Sequence, residues 1–273
     1  MVRRVRAADL PVVIYDVSEK ATADLAAGDT GVRIAATPAE VAEHSDIVCV
    51  VVQDDAQAEA VLLGEGGALR HARSEAVIVV HSTLSLAAIR RLSAAAEEHD
   101  LPLLDAGVSG KAGEHSAARG ELAVMVGGSR EAFDRARPVL NCYAGLAIHL
   151  GPSGCGMRAK LARNAICYQS YVALFEGLFL ADAAGVDRAA MEQILEYTGL
   201  NSEAMQSFLA HRKGVGRFEP GSEQAALAEF NAGIGRKDLT AVVALGRELG
   251  VSLPGVEAGK GSMRAVFGAF EPE

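Results

Sequence analysis

Apolar residues recur through the first half of the chain in short runs: VVIYD (Val12–Asp16), VRIAA (Val32–Ala36), DIVCVVV (Asp46–Val52), AVIVVHS (Ala76–Ser82) and LPLLDAG (Leu101–Gly107). Runs that are apolar at successive positions predict strands buried on both faces, as parallel sheets require. Between them lie segments of helical period opened by capping residues. Ser18 precedes EKATADLAA, Thr37-Pro38 precedes AEVAEH, and Ser85 precedes LAAIRRLSAAAEEH. Alternation of this kind predicts βαβ units and a doubly wound α/β domain. Two more runs, Glu121–Gly128 and Leu146–Gly151, flank the helix REAFDRARPVL and extend the same sheet.

From Gly156 the pattern changes. MRAKLARNAICYQSYVALFEGLFLADAAG reads as one long helix stopped at Gly185, a residue that takes the left-handed C-cap without strain. It is apolar on most faces, which places it inside a helical domain. Further helices are expected at about Arg188–Thr198, Ser202–Ala210, Ala225–Gly250 and Pro254–Phe267. The reading is an α/β domain over 1–152 and an all-α domain over 153–273.

Composition narrows the function classes. The 273 residues are 50% hydrophobic and 22% charged, the balance of a globular protein with real cores. A net charge of −9 argues against a broad nucleic-acid or anionic-membrane footprint. No apolar run approaches the roughly 18 residues of a transmembrane helix, and the first residues lack the apolar core of a signal peptide. Cys49, Cys142, Cys155 and Cys167 show neither C-x-x-C nor zinc-type spacing with the seven histidines. The expectation is a cytoplasmic protein with reduced thiols and no metal.

Four segments carry candidate chemistry. Asp16 ends a strand, where an acid in a dinucleotide fold accepts from ribose hydroxyls and disfavours a 2′-phosphate; alone, it is more often a turn residue. The G-x-G-x-x-G turn that should precede it is missing, and Met1–Ala8 reads as the helix that would follow that turn. On this reading the chain starts about 12–15 residues late for a complete unit. A missing central strand would leave a gap lined with unpaired backbone groups.

The second segment holds Ser109, Gly110 and Lys111 in a loop expected after a strand ending at Asp105-Ala106. A hydroxyl beside glycine amides suits a carboxylate, but an ordinary surface loop has equal weight. The third, Gly151–Asn164, has phosphate-loop glycine spacing, yet Met157-Arg158 stand where Lys and Ser or Thr are needed, so that reading fails. It leaves Lys160 and Asn164 one helical turn apart. A buried ammonium suits a proton donor; a solvated face that includes Arg158 and Arg163 is the alternative. The fourth, Glu229–Leu239, carries Phe230 and the pair Lys237-Asp238, which by itself reads as surface decoration.

Together, in this order, D-A-x-V-S-G at Asp105–Gly110, G-x-x-x-K-x-x-x-N at Gly156–Asn164 and F-(x6)-K-D at Phe230–Asp238 resemble the β-hydroxyacid dehydrogenases, the family of 3-hydroxyisobutyrate dehydrogenase and tartronate semialdehyde reductase. ARGELAVMVGG and HST (His81–Thr83) match it too, so the likeness runs from Met1 to about Phe267. The resemblance implies a Rossmann-like domain, here without its first strand and Gly-rich loop, followed by an all-α domain.

It also implies site roles. Lys160 would exchange a proton with the oxygen at the reacting carbon. Ser109 and Gly110 would bind the substrate carboxylate, and Asn164 would orient the substrate oxygen or the ammonium. Phe230 and Lys237 would close over substrate and nicotinamide, with Lys237 lowering the pKa of Lys160 by like-charge repulsion. Asp16 would hold the ribose of NAD in preference to NADP, and Val52 and Thr83 would line the cofactor groove.

The chain departs from the family at three places: the phosphate loop, Lys111 in place of a second glycine, and Val52-Gln53 in place of Leu-Pro. Two alternatives stand beside this reading: a non-catalytic truncated relative kept as a binding or structural dimer, and an imine reductase. The latter's relatives usually carry Asp or Tyr at the position of Lys160. The long apolar helix suggests a homodimer or homotetramer. The expected partner is a small anionic hydroxyacid, with no nucleic acid and no membrane.

Overall fold

The computed structural model describes residues 1–110, 116–200, 202, 205–206, 208–209, 218–219 and 221–269. Lys111 and much of the expected helix Ser202–Ala210 lie outside these residues. Two compact units divide inside one helix, between Lys160 and Leu161.

The first unit opens with α1 (Val2–Arg6), then alternates β1 (Val12–Ile14), α2 (Glu19–Ala26), β2 (Val32–Ile34), α3 (Pro38–Glu43), β3 (Ile47–Val50), α4 (Asp55–Leu63), β4 (Val77–Val80), α5 (Leu86–Glu97) and β5 (Leu103–Gly110). There follow α6 (Ser116–Arg119), β6 (Leu122–Gly127), α7 (Arg130–Leu140), β7 (Ala144–His149) and the start of α8 (Cys155–Ala183). Ser18, Thr37 and Ser85 cap α2, α3 and α5, each side chain accepting the N–H three residues on, as the sequence leads one to expect. Every residue of β4 is buried. The core stacks its Val77 and Val79 with Leu104, Val124 and Val126 against Phe133 and Leu140 of α7.

Two features depart from a single parallel sheet. β6 runs antiparallel to β5, because the connection between them is shorter than the dozen or so residues a crossover needs. That pairing extends β5 to Gly110, with Ser109 opposite Ala123 and Gly110 opposite Leu122. Ser109 and Gly110 therefore sit on a strand, not in the loop expected from the sequence. The second departure is a break: β1 and β2 form a two-stranded parallel sheet, separate from the sheet β3-β4-β5-β6-β7. The gap in the sheet expected from the sequence lies there.

The second unit holds the rest of α8, then α9 (Arg188–Tyr197), α10 (Glu223–Leu249) and α11 (Pro254–Phe267). α10 buries Ala228, Ala232, Gly235, Leu239 and Val242 at helical spacing. Gly235 has no room for a side chain: a Cβ there would lie 2.9 Å from the sulfur of Met263 on α11 and 3.2 Å from the Tyr168 ring on α8. Tyr171 stacks on Phe208 at 4.4 Å between centroids and meets the edge of Phe267. Among the described residues no helix is long and apolar enough to cross a membrane, and no cluster of His, Cys, Asp or Glu is placed to hold a metal.

Candidate active site

The site begins with a helix that cannot cap itself. The residue before α8 is Gly154, at φ +88°, and it offers no side chain to the first-turn N–H groups. Asp105, fully buried on β5, supplies the cap instead. Its Oδ1 accepts the Gly154 N–H at 2.7 Å and its Oδ2 accepts the Met157 N–H at 2.6 Å. Burial pushes this carboxyl above its ordinary range, against the pull of the two N–H bonds.

Two glycines let the helix start touch the sheet. A Cβ on Gly156 would collide with the carbonyl oxygens of Asp105 and Met125, and one on Gly127 would stand 2.7 Å from the Gly156 nitrogen. The sequence reading gave Asp105 no role. A short polar side chain two places before G-x-S on a buried strand, with an uncapped Gly-rich helix start elsewhere, was the available signal.

Alternate residues of a strand share a face, so Asp105, Gly107 and Ser109 all point toward α8. The stem of Lys160 lies on Gly107: a Cβ there would be 2.8 Å from the lysine Cβ and 3.0 Å from its Cγ. Lys160 is only 9% exposed. One strand face thus presents a helix cap, a bare seat for the lysine stem, and a half-buried hydroxyl beyond it. Gly107→Ala is expected to cost about 1–3 kcal/mol of stability by overpacking. Pushing the ammonium aside by a fraction of an ångström should also lower kcat at least tenfold. Unfolding and turnover measured on one preparation check both.

Behind this face lies a buried polar chain. His81 Nδ1 is 2.8 Å from the Ala106 carbonyl oxygen, which can only accept, so Nδ1 carries the proton. Nε2 then accepts from the Tyr143 hydroxyl at 2.9 Å, and the Cys49 thiol at 3.8 Å is left to donate to that hydroxyl. Burial holds His81 down at about 4. An unfolded histidine titrates near 6.5, so this contribution is complete above that pH and is lost as pH falls from about 6.5 to 4. The loss amounts to about 3 kcal/mol. Urea midpoints of the parent should fall across that window, and those of His81→Gln should fall less.

In the second unit, Asn164 is 1% exposed and its Nδ2 donates to Asp238 Oδ2 at 2.8 Å. The Tyr168 hydroxyl reaches the same oxygen at 3.4 Å. Lys237 Nζ lies 3.0 Å from Asp238 Oδ1, an ion-pair contact rather than a directed hydrogen bond. Asp238 is 3% exposed, so the Lys237-Asp238 pair is not surface decoration. The buried stripe Gly235, Asp238, Leu239, Val242 repeats at helical spacing and was readable in the sequence. Phe230, earlier on α10, is 51% exposed.

The remaining cofactor candidates lie in the first unit. Asp16 is exposed just past β1, and its Oδ1 accepts the Ser18 N–H at 2.8 Å. The Val52 N–H donates to Ser82 Oγ at 2.7 Å, and half-buried Thr83 follows in the next turn. Ser85 locks that turn through its hydroxyl to Asp55 Oδ2 at 2.6 Å.

Known proteins match over the same span. The family model described as the NAD binding domain of 6-phosphogluconate dehydrogenase matches residues 1–151. That described as NAD-binding of NADP-dependent 3-hydroxyisobutyrate dehydrogenase matches residues 154–271. The chain is 34% identical, over 96% of its length and 87% of the other's, to an uncharacterized oxidoreductase of Mycobacterium tuberculosis. The chain belongs to the β-hydroxyacid dehydrogenase family.

Solved members of the family share its fold. A 3-hydroxyisobutyrate dehydrogenase from Salmonella typhimurium superposes with a TM-score of 0.83 at 25% identity, covering 98% of this chain and 94% of that one. The Mycobacterium tuberculosis 3-hydroxyisobutyrate dehydrogenase solved with L-serine gives 0.78 at 26%, covering 97% and 92%. The chain is thus an oxidoreductase of the hydroxyacid dehydrogenase type with NAD-binding domains, a Rossmann-like unit and a helical unit. Asp16 past the end of β1, and Val52 and Thr83 past the ends of β3 and β4, stand where open α/β sheets hold a dinucleotide. No G-x-G-x-x-G occurs in the sequence.

Proposed function

We propose that this protein interconverts a small β-hydroxyacid and its semialdehyde or keto acid with NAD(P), NAD being preferred, and that Lys160 exchanges the proton. One observation carries the reading: Lys160 is buried on the Gly107 seat of the strand face that also presents Ser109. The bound nicotinamide supplies or takes the hydride.

The chain's own residues do the rest. The Ser109 hydroxyl and the adjacent Gly110 backbone hold the substrate carboxylate, and Lys160 stabilises and protonates the oxygen on which charge develops. Asn164, held by Asp238, directs its remaining polar atoms to the substrate oxygen or to the ammonium one turn earlier on α8. Asp16 favours NAD because a carboxylate repels a 2′-phosphate. A homodimer or homotetramer is part of the same proposal, resting on the exposed apolar side chains of Ile166 and Leu180 on α8.

Calorimetric titration with NADH and NADPH, followed by turnover of 3-hydroxyisobutyrate and L-serine, tests the reading. Tighter NADH binding and turnover of at least one of these acids are expected. NADPH binding without NADH binding would overturn the role of Asp16. A folded chain that binds neither dinucleotide would select the other reading, a non-catalytic dehydrogenase-like binding or structural dimer.

A further inference from the structure

The start of α8 carries a second cation that the proposed reaction leaves unused. Lys160, Arg163, Asn164, Cys167, Tyr168 and Tyr171 stand at i, i+3, i+4, i+7, i+8 and i+11, the spacing of a single helix face. Arg158 lies off that face and is exposed, whereas Arg163 is half-buried. The solvated face that the sequence allows for both arginines therefore holds for Arg158 and not for Arg163. Arg163 fills the last open place of G-x-x-x-K-x-x-x-N.

Its surroundings are polar but neutral. Arg163 Nη1 donates to Asn164 Oδ1 at 3.2 Å. The Tyr168 and Tyr171 hydroxyls also lie near the guanidinium: burial pushes both phenols up, and the charge of Arg163 pulls the other way. The acid of this cluster is already engaged, since Asp238 Oδ2 accepts from Asn164 and Tyr168 and its Oδ1 faces Lys237. Among the described residues no carboxylate lies within ion-pair distance of Arg163. A guanidinium drawn partly out of water is suited to a planar anion held by two parallel N–H bonds. Arg163 has the fork and lacks the anion.

We propose that Arg163 sets substrate specificity by binding a second carboxylate of the hydroxyacid, so that the preferred substrate is a small dicarboxylate. Side chains three residues apart on a helix start about 5–6 Å from one another, so one short molecule can meet Lys160 with its reacting oxygen and Arg163 with a carboxylate. Asn164, bonded to Arg163 at one end of its amide and to Asp238 at the other, holds the guanidinium in place. A hydroxyacid with a methyl group at that end gains nothing from the cation. The inference rests on the proposed role of Lys160.

Binding of matched acids tests it without requiring turnover. NMR shift titrations of the chain, with and without saturating NADH, compare 2-(hydroxymethyl)butanedioate with 2-(hydroxymethyl)butanoate, and 3-hydroxypentanedioate with 3-hydroxypentanoate. Within each pair a carboxylate replaces a methyl group. In at least one pair the dicarboxylate should bind the parent at least tenfold more tightly, the scale of a charge-assisted bidentate contact. Arg163→Gln should bring that ratio to within twofold of unity. Arg163→Lys, a point charge without the fork, should keep part of the ratio, and it gives the comparison if the Gln protein does not fold.

Two results overturn the proposal. One is the absence of any preference for the dicarboxylate in both pairs, failure of the dicarboxylates to bind included. The other is an Arg163→Gln protein that keeps the parent's ratio, whether it binds both acids as before or loses both alike, the mark of a mere support for Asn164. Turnover that survives Lys160→Met counts instead against the proposed function. A ratio of unity in the parent, with turnover still lost in Lys160→Met, counts against Arg163 alone.

Discussion

Lys160→Met lowers kcat about a thousandfold and leaves dinucleotide affinity and the urea midpoint within a factor of two of the parent's. Methionine keeps an unbranched stem on the Gly107 seat, so packing survives while the ammonium is lost. Positioned proton transfer contributes about 10²–10⁴-fold, and a fixed cation beside a developing oxyanion adds to it. KM for the hydroxyacid should rise far less than kcat falls, because the interaction strengthens in the transition state. Turnover within tenfold of the parent's would remove Lys160 from the mechanism, whatever the dinucleotide binding shows.

Asp105→Ala has the largest expected effect on stability. It strands two buried N–H groups, that of Gly154 just before α8 and that of Met157 in its first turn, at about 1–3 kcal/mol each, and leaves a small cavity besides. The first unit should lose about 3–5 kcal/mol, a large share of the total for a domain. Asp105→Asn keeps one acceptor oxygen and turns an amide NH₂ toward the other N–H, so it should fall about midway. Urea unfolding of the three proteins at pH 7 gives the ranking. Equal midpoints for parent and Ala variant would mean that the helix start is held by Gly156 and Gly127 packing alone.

The two predictions meet in one strand. Asp105, Gly107 and Ser109 occupy alternate positions of β5: the first caps the helix that faces them, the second seats its lysine, and the third is the proposed carboxylate ligand. The stem of Lys160 rests on the bare backbone of Gly107. That makes the glycines of this motif as consequential as its charged residues.

Much of this was legible beforehand. The buried runs and their capping serines fixed the order of strands and helices, because period and capping are local properties carried by a few neighbouring residues. Lys160 and Asn164 stood out because a lysine on an apolar helix start is chemically expensive. A break in the sheet was also expected, from the absence of a Gly-rich turn before β1, and two sheets are found.

What the sequence could not decide were matters of pairing across distance. The reversal at β6 moved Ser109 and Gly110 from a loop onto a strand, and only the register against Ala123 and Leu122 shows it. Asp105 became a helix cap because α8 arrives 49 residues later with a glycine where its own cap should be. Asp238 went from surface charge to buried anchor because Asn164 and Tyr168 on another helix close over it. In each case the residue's local pattern permits two environments, and burial chooses between them through partners that sequence spacing does not reveal.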